Sequence, residues 1–168
     1  VFDIFAIYIG DRLGFCRALA SNGPLTSVEL AARTNTQERY AREWLEQQTV
    51  SGILEVEDAG VEATARRFRL STAYVEVLVE RDSLHYLAPL AQLAVGVTRP
   101  LDSLLAAYRN GGGVELQEYG TDFLEGQGNI NRAAFLYELG SDWLPAMPDV
   151  HERLRSDPPA RIADFGCG

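Results

Sequence analysis

The sequence predicts a mainly α-helical chain: a winged-helix unit, then a helical connector, then the first strand of a Rossmann-like α/β domain. Three observations carry this reading. Residues 25–70 run helix, short turn, helix and β-hairpin. Residues 71–156 show interrupted helical periodicity. The last eight residues are a short apolar run followed by Asp164-Phe165-Gly166-Cys167-Gly168, the pattern of a buried strand turning into a ligand loop.

The elements follow in order. Phe2, Phe5, Ile9, Leu13 and Cys16 recur three or four residues apart and predict one helix over residues 2–20. Ile4, Ile7 and Tyr8 make its start apolar nearly all round, so more than one side is expected to be covered. Gly10 and Gly14 offer a place for a second backbone to approach, and Gly23-Pro24 ends the segment. Thr26 with Glu29 three residues later forms a capping box, and Leu25 and Leu30 flank it as a hydrophobic staple. That helix should end near Arg33. Asn35 or Thr36 should cap a second one running to about Ser51, with Tyr40, Ala41, Trp44 and Leu45 inward, stopped by Gly52. Residues 53–56 and 67–70 alternate as two strands around a polar turn.

Further helices are expected over 73–80, 84–97, 100–109 and 131–144, with Gly111-Gly112-Gly113 as a break. A short helix should start at Pro148 and end at Arg155, and Asp157-Pro158-Pro159 reads as a stiff linker. The units are residues 1–72 (first helix plus winged helix-turn-helix), 73–156 (connector) and 157–168 (start of the α/β domain).

Composition narrows the function classes. Fifteen basic residues against twenty-four acidic ones give a net charge of −9, and every basic residue is arginine. Without lysine there is no Schiff base and no phosphate loop of the Lys-Ser or Lys-Thr kind. A net negative field disfavours nucleic acid as a partner. The second helix of the helix-turn-helix carries Arg39 and Arg42 against Glu38, Glu43 and Glu46, a poor match to a phosphate backbone. Arg66, Arg67 and Arg69 form the one basic cluster, and the competing reading of a DNA-binding regulator rests on them. No apolar run is long enough for a membrane helix. Cys16 and Cys167 lie far apart and make no disulfide framework, which points to the cytoplasm.

The terminal motif carries the chemistry. Gly166 and Gly168 permit positive φ and leave room for a ligand against the backbone. The same residues also read as an ordinary loop after a strand. With Asp164, they resemble the first motif of class I S-adenosylmethionine-dependent methyltransferases, apolar-apolar-acid-x-Gly-x-Gly-x-Gly. The segments Pro24 to Leu45, Tyr119-Gly120, Phe135 to Pro145 and Pro148 to Val150 are similar to the amino-terminal half of a bacterial group of these enzymes that begins with a winged-helix dimerisation domain. The resemblance implies a homodimer and a small-molecule substrate lidded by the amino-terminal half. It also implies S-adenosylmethionine bound by Asp164, Gly166 and Gly168, and in-line displacement at the methyl carbon. The motif stands at the end of the sequence, so the chain is expected to be the front of a longer enzyme, without turnover or appreciable cofactor affinity alone.

Tyr119, Phe123, Arg132, Phe135 and Trp143 are candidates for the substrate wall, with Asn131 beside them. Phe135 and Trp143 read equally as core residues, Asn131 as a helix cap and Arg132 as an ion-pair partner of an acid on the next turn. His85 and His151 are the two imidazoles available as bases, and each reads more simply as a surface residue. Neither a catalytic base nor a metal site is assigned.

Overall fold

The computed structural model describes residues 2–165. Two helices, α1 (Phe2–Arg12) and α2 (Phe15–Asn22), replace the single helix expected over residues 2–20. Gly14 stands between them in the left-handed region at φ 76°. A side chain resists that conformation, so the glycine ends one helix and reorients the chain for the next.

The helix-turn-helix follows the capping chemistry. α3 (Ser27–Thr34) opens on a closed capping box: Glu29 N–H donates to Thr26 Oγ1 at 3.2 Å, and Thr26 N–H donates to Glu29 Oε2 at 2.8 Å. Leu25 and Leu30 are both buried in the core. Asn35 does not cap the next helix. It closes α3 in the left-handed region at φ 52°, a conformation asparagine tolerates, and its N–H donates to Ala31 O. The cap of α4 (Glu38–Val50) is Gln37, not Asn35 or Thr36. Ala41, Trp44 and Leu45 face the core as expected, but Tyr40 does not: it precedes Ala41 on the solvent side of the helix and is 74% exposed.

The wing is an antiparallel pair, β1 (Leu54–Val56) and β2 (Phe68–Leu70), with Leu54 opposite Leu70 and Val56 opposite Phe68. Leu25 and Phe68 exchange two backbone hydrogen bonds of 2.9 Å, which tie the wing to the entry of α3. The core of this unit gathers Phe15, Leu19, Leu30, Leu45 and Phe68, with the Phe15 ring edge-on to Trp44 at 4.9 Å. α1 lies over α4: Trp44 Nε1–H donates to the Ala6 carbonyl at 2.8 Å, and Gln47 Nε2–H donates to Asp3 at 2.8 Å.

The connector comprises α5 (Thr72–Leu78), α6 (Ala88–Thr98), α7 (Leu101–Asn110) and α8 (Gly120–Glu138). A π-helical turn over Leu139–Trp143 and then α9 (Pro148–Arg155) follow. Leu78, Tyr86 and Ala88 belong to the winged-helix core, so the connector packs into that unit. The expected helix over 131–144 is longer than the sequence pattern implied and begins at Gly120. At two points along their contact α6 and α8 need glycine. A Cβ on Gly126 would sit 2.8 Å from Leu93 N, and one on Gly96 would overlap the backbone of Phe123. Close packing between these helices outweighs the poor helix propensity of glycine.

Among the described residues only β1 and β2 pair as a sheet. Residues 161–165 run outside regular structure, with Ile162 and Phe165 78% and 92% exposed. The strand expected here is not formed. A parallel strand needs neighbours for its backbone groups and cover for both faces, and the described residues supply neither. No described helix is long and apolar enough to cross a membrane.

Candidate functional site

Of the terminal motif, Asp164 lies on an exposed stretch, and no hydrogen bond or ion pair to it occurs among the described residues. Gly166 and Gly168 lie outside the described residues, as does Cys167. Just ahead of the motif, Leu139, Leu144, Val150, Leu154 and Ile162 line a largely apolar cavity of ≈ 600 Å³. Arg153 crosses its rim and donates to the Pro158 carbonyl at 2.9 Å, which holds the linker against α9. The described residues thus supply one free carboxylate and an apolar hollow, but no walled cradle for an adenosyl group. No chemical step is derived through that group.

The candidate wall residues form two separate pairs. Tyr119 and Phe123 stack tilted at 4.9 Å where α8 begins. Phe135 and Trp143 meet edge to face at 5.4 Å where it ends. Twelve residues of helix separate Phe123 from Phe135, about 18 Å at 1.5 Å per residue. Arg132 Nε donates to Asp82 at 2.8 Å, so its partner lies in the turn after α5 and not on the next turn of its own helix. Asn131 is in the interior of α8 and caps nothing.

Both imidazoles fall outside any enclosed centre. His85 is exposed and lies 2.9 Å through Nδ1 from Glu76 Oε1. The Ser83 hydroxyl, which donates to the same oxygen at 2.6 Å, and then His85 hold the Glu76 carboxyl below its ordinary range. His151 is half-buried on α9. Cys16 is a buried free thiol, and burial pushes its pKa up to about 12, so it is no nucleophile at neutral pH.

The helix-turn-helix face is electrostatically self-satisfied. On α4, Arg39 pairs with Glu43 at 2.7 Å and Arg42 with Glu38 at 3.3 Å. On the hairpin, Arg66 pairs with Glu46 at 2.9 Å and Arg67 with Glu29 at 3.3 Å, while Arg69 pairs with Glu55.

A polar network escaped the sequence reading. Gln92, buried within α6, donates to Glu125 at 2.9 Å and Asp122 at 3.3 Å. The Tyr8 hydroxyl also donates to Asp122, at 3.0 Å, and Arg12 pairs with Glu125 at 3.3 Å. Burial, and then the bond to Asp122, push the Tyr8 phenol above its ordinary value. The signal available was one glutamine in the apolar run from Ala91 to Val95, since buried polar groups find partners.

Residues 4–78 match the family described as the Rv2258c-like winged HTH domain. The fold is similar to the solved structure of the mitomycin 7-O-methyltransferase MmcR, at 21% identity and a TM-score of 0.58, over 83% of this chain and 42% of that one. It is also similar to human N-acetylserotonin methyltransferase in complex with SAM, at 17% identity and a TM-score of 0.61, over 85% of this chain and 46% of that one. No curated protein sequence matches the chain. The chain spans less than half the length of either structure, and at these identities the likeness is one of fold. Residues 4–78 thus match the Rv2258c-like winged HTH domain, within a chain that shares its fold with part of two methyltransferase structures.

Proposed function

We propose that this chain is the dimerising and substrate-capping part of a cytoplasmic S-adenosylmethionine-dependent methyltransferase that acts on a small molecule, and that residues 1–168 alone are inactive. The observation that carries the reading is an order of parts. A winged helix, a connector packed on it and an Asp-x-Gly-x-Gly segment follow one another, and the first two share the fold of two methyltransferases.

The role of this chain's residues in such an enzyme is positional. The pairs Tyr119–Phe123 and Phe135–Trp143 present aromatic edges along α8, suited to an apolar or aromatic methyl acceptor. The apolar hollow beside residues 160–162 is where a following domain would seat against α9. Asp164 would act on the cofactor side, with Gly166 and Gly168 leaving room.

The reading predicts that the natural full-length protein binds S-adenosylmethionine in a calorimetric titration and that Asp164→Ala weakens that binding. Absence of cofactor binding by the full-length protein would overturn it.

A further inference from the structure

A second cavity, of ≈ 500 Å³, opens between α1, α2, the turn after α5, α6 and α8. All of its lining side chains are polar or charged. That sets it apart from the usual ligand pocket, in which apolar walls hold a ligand and a few polar groups orient it. It shares no residue with the aromatic pairs of α8 or with the terminal motif, so the inference stands independently of the methyltransferase reading.

Two unspent donors face this space. Tyr86 is 8% exposed, with its ring in the winged-helix core. Its hydroxyl has no hydrogen-bond partner among the described residues, although Asp11, Arg81 and Arg17 all act on it electrostatically. Burial raises the phenol above its ordinary value, so at neutral pH it keeps its proton and donates. Arg81 is the second donor. Arg17 is paired with Asp11 at 2.8 Å and Arg12 with Glu125 at 3.3 Å. Arg81 reaches only the amide oxygen of Asn129, at 3.2 Å, and meets no carboxylate among the described residues within ion-pair distance.

Three arginines against two acids leave the lining with one positive charge. An O–H that opens on the cavity without an acceptor and a guanidinium without an acid both take an anionic oxygen as partner, and Arg81 is suited to grip a carboxylate. The rest of the lining specifies the body of the ligand. Asp11 and Glu125 accept from hydroxyls, Gln92 and Asn129 exchange hydrogen bonds with them, and there is no greasy wall to hold a ring or a tail.

We propose that this cavity binds a small polyhydroxylated monocarboxylate of the sugar-acid class, with its carboxylate between Arg81 and Tyr86 and its hydroxyls against Asp11, Glu125 and Gln92.

Isothermal titration of the chain with D-glucuronate, and with D-glucose as the uncharged counterpart, tests this. The expected result is one saturable site for D-glucuronate and none for D-glucose. Charge-assisted hydrogen bonds contribute enough that Arg81→Gln and Tyr86→Phe should each weaken binding by about tenfold or more. Arg81 is exposed, so its replacement leaves the fold intact even if the core residue Tyr86 tolerates change poorly; circular dichroism verifies both variants. Arg39→Gln, on the far-removed α4 pair, should bind like the parent. No saturable heat with D-glucuronate, equal binding of D-glucose, or unchanged affinity in Arg81→Gln overturns the proposal.

Discussion

Gly10 lies against the indole of Trp44, so closely that a Cβ at position 10 would overlap Cζ2 of that ring. The same indole donates to Ala6 O and meets the Phe15 ring edge-on, so it is held from three sides. Alanine normally improves a helix interior by up to about 1 kcal/mol over glycine. Here the ring has nowhere to go, and Gly10→Ala should instead destabilise by about 1–3 kcal/mol in urea unfolding. Gly128, inside α8 with open space where its Cβ would project, is the matched contrast: Gly128→Ala should stabilise by about 0.5–1 kcal/mol. Equal effects at the two sites would contradict the packing described here.

The α6–α8 contact should respond in the same direction as Gly10 and more severely, because the obstacle is main chain. A Cβ at Gly96 meets the backbone nitrogen and Cα of Phe123, which cannot rotate away as a side chain does. Gly96→Ala is expected to cost at least the upper end of the about 1–3 kcal/mol range for overpacking. It should also speed amide hydrogen exchange in α8 while leaving α3 and α4 protected. Uniform exchange across the chain would count against a separable α6–α8 seam.

The capping box sets a pH dependence. The bond from Thr26 N–H holds the Glu29 carboxyl below its ordinary value of 4.5, with help from Arg67. The folded pKa is depressed. The stabilisation is therefore fully present above the unfolded value and is lost as pH falls through the folded one. Glu29→Gln should flatten that part of the stability profile below about pH 4.5. Thr26→Ala should lower stability by about 1 kcal/mol at neutral pH, through loss of the bond to Glu29 N–H.

Duplex DNA should not bind. Each arginine of α4 and of the hairpin already faces a glutamate, so a phosphate would have to displace a carboxylate at every contact. Fluorescence anisotropy with a labelled duplex at physiological salt should show no saturable rise. Tight binding that weakens steeply with added salt would restore the regulator reading.

Self-association should run through α1. Phe2, Phe5 and Ile9 on it, and Leu13 just beyond its end, remain exposed even though its other side covers Trp44 and α6. A contiguous apolar row of this kind marks an interaction surface. Light scattering should find a dimer in dilute solution, and Phe5→Glu with Ile9→Glu should give a folded monomer. A monomeric parent protein would remove the pairing from the proposed function.

What the residues announced by themselves was local. Thr26 and Glu29 specify a helix start through bonds three residues apart. Leu54 and Val56 opposite Leu70 and Phe68 specify a hairpin, and apolar spacing specifies most helices of the connector. The acid–base balance of α4 and the wing was also legible, because charge needs no fold to be counted. Three matters were decided only in three dimensions. Gly126 lowers helix propensity along the chain, and only the close approach of Leu93 shows why α8 carries a glycine there. Residues 161–165 carry a strand's composition but form no strand, since a strand is a relation to neighbours and the described residues provide none. Tyr86, Arg81 and Gln92 are scattered along the sequence with no shared period. Their convergence on one polar cavity arises where α1, α2, α6 and α8 meet, and only that packing sets a hydroxyl without an acceptor beside a guanidinium without an acid.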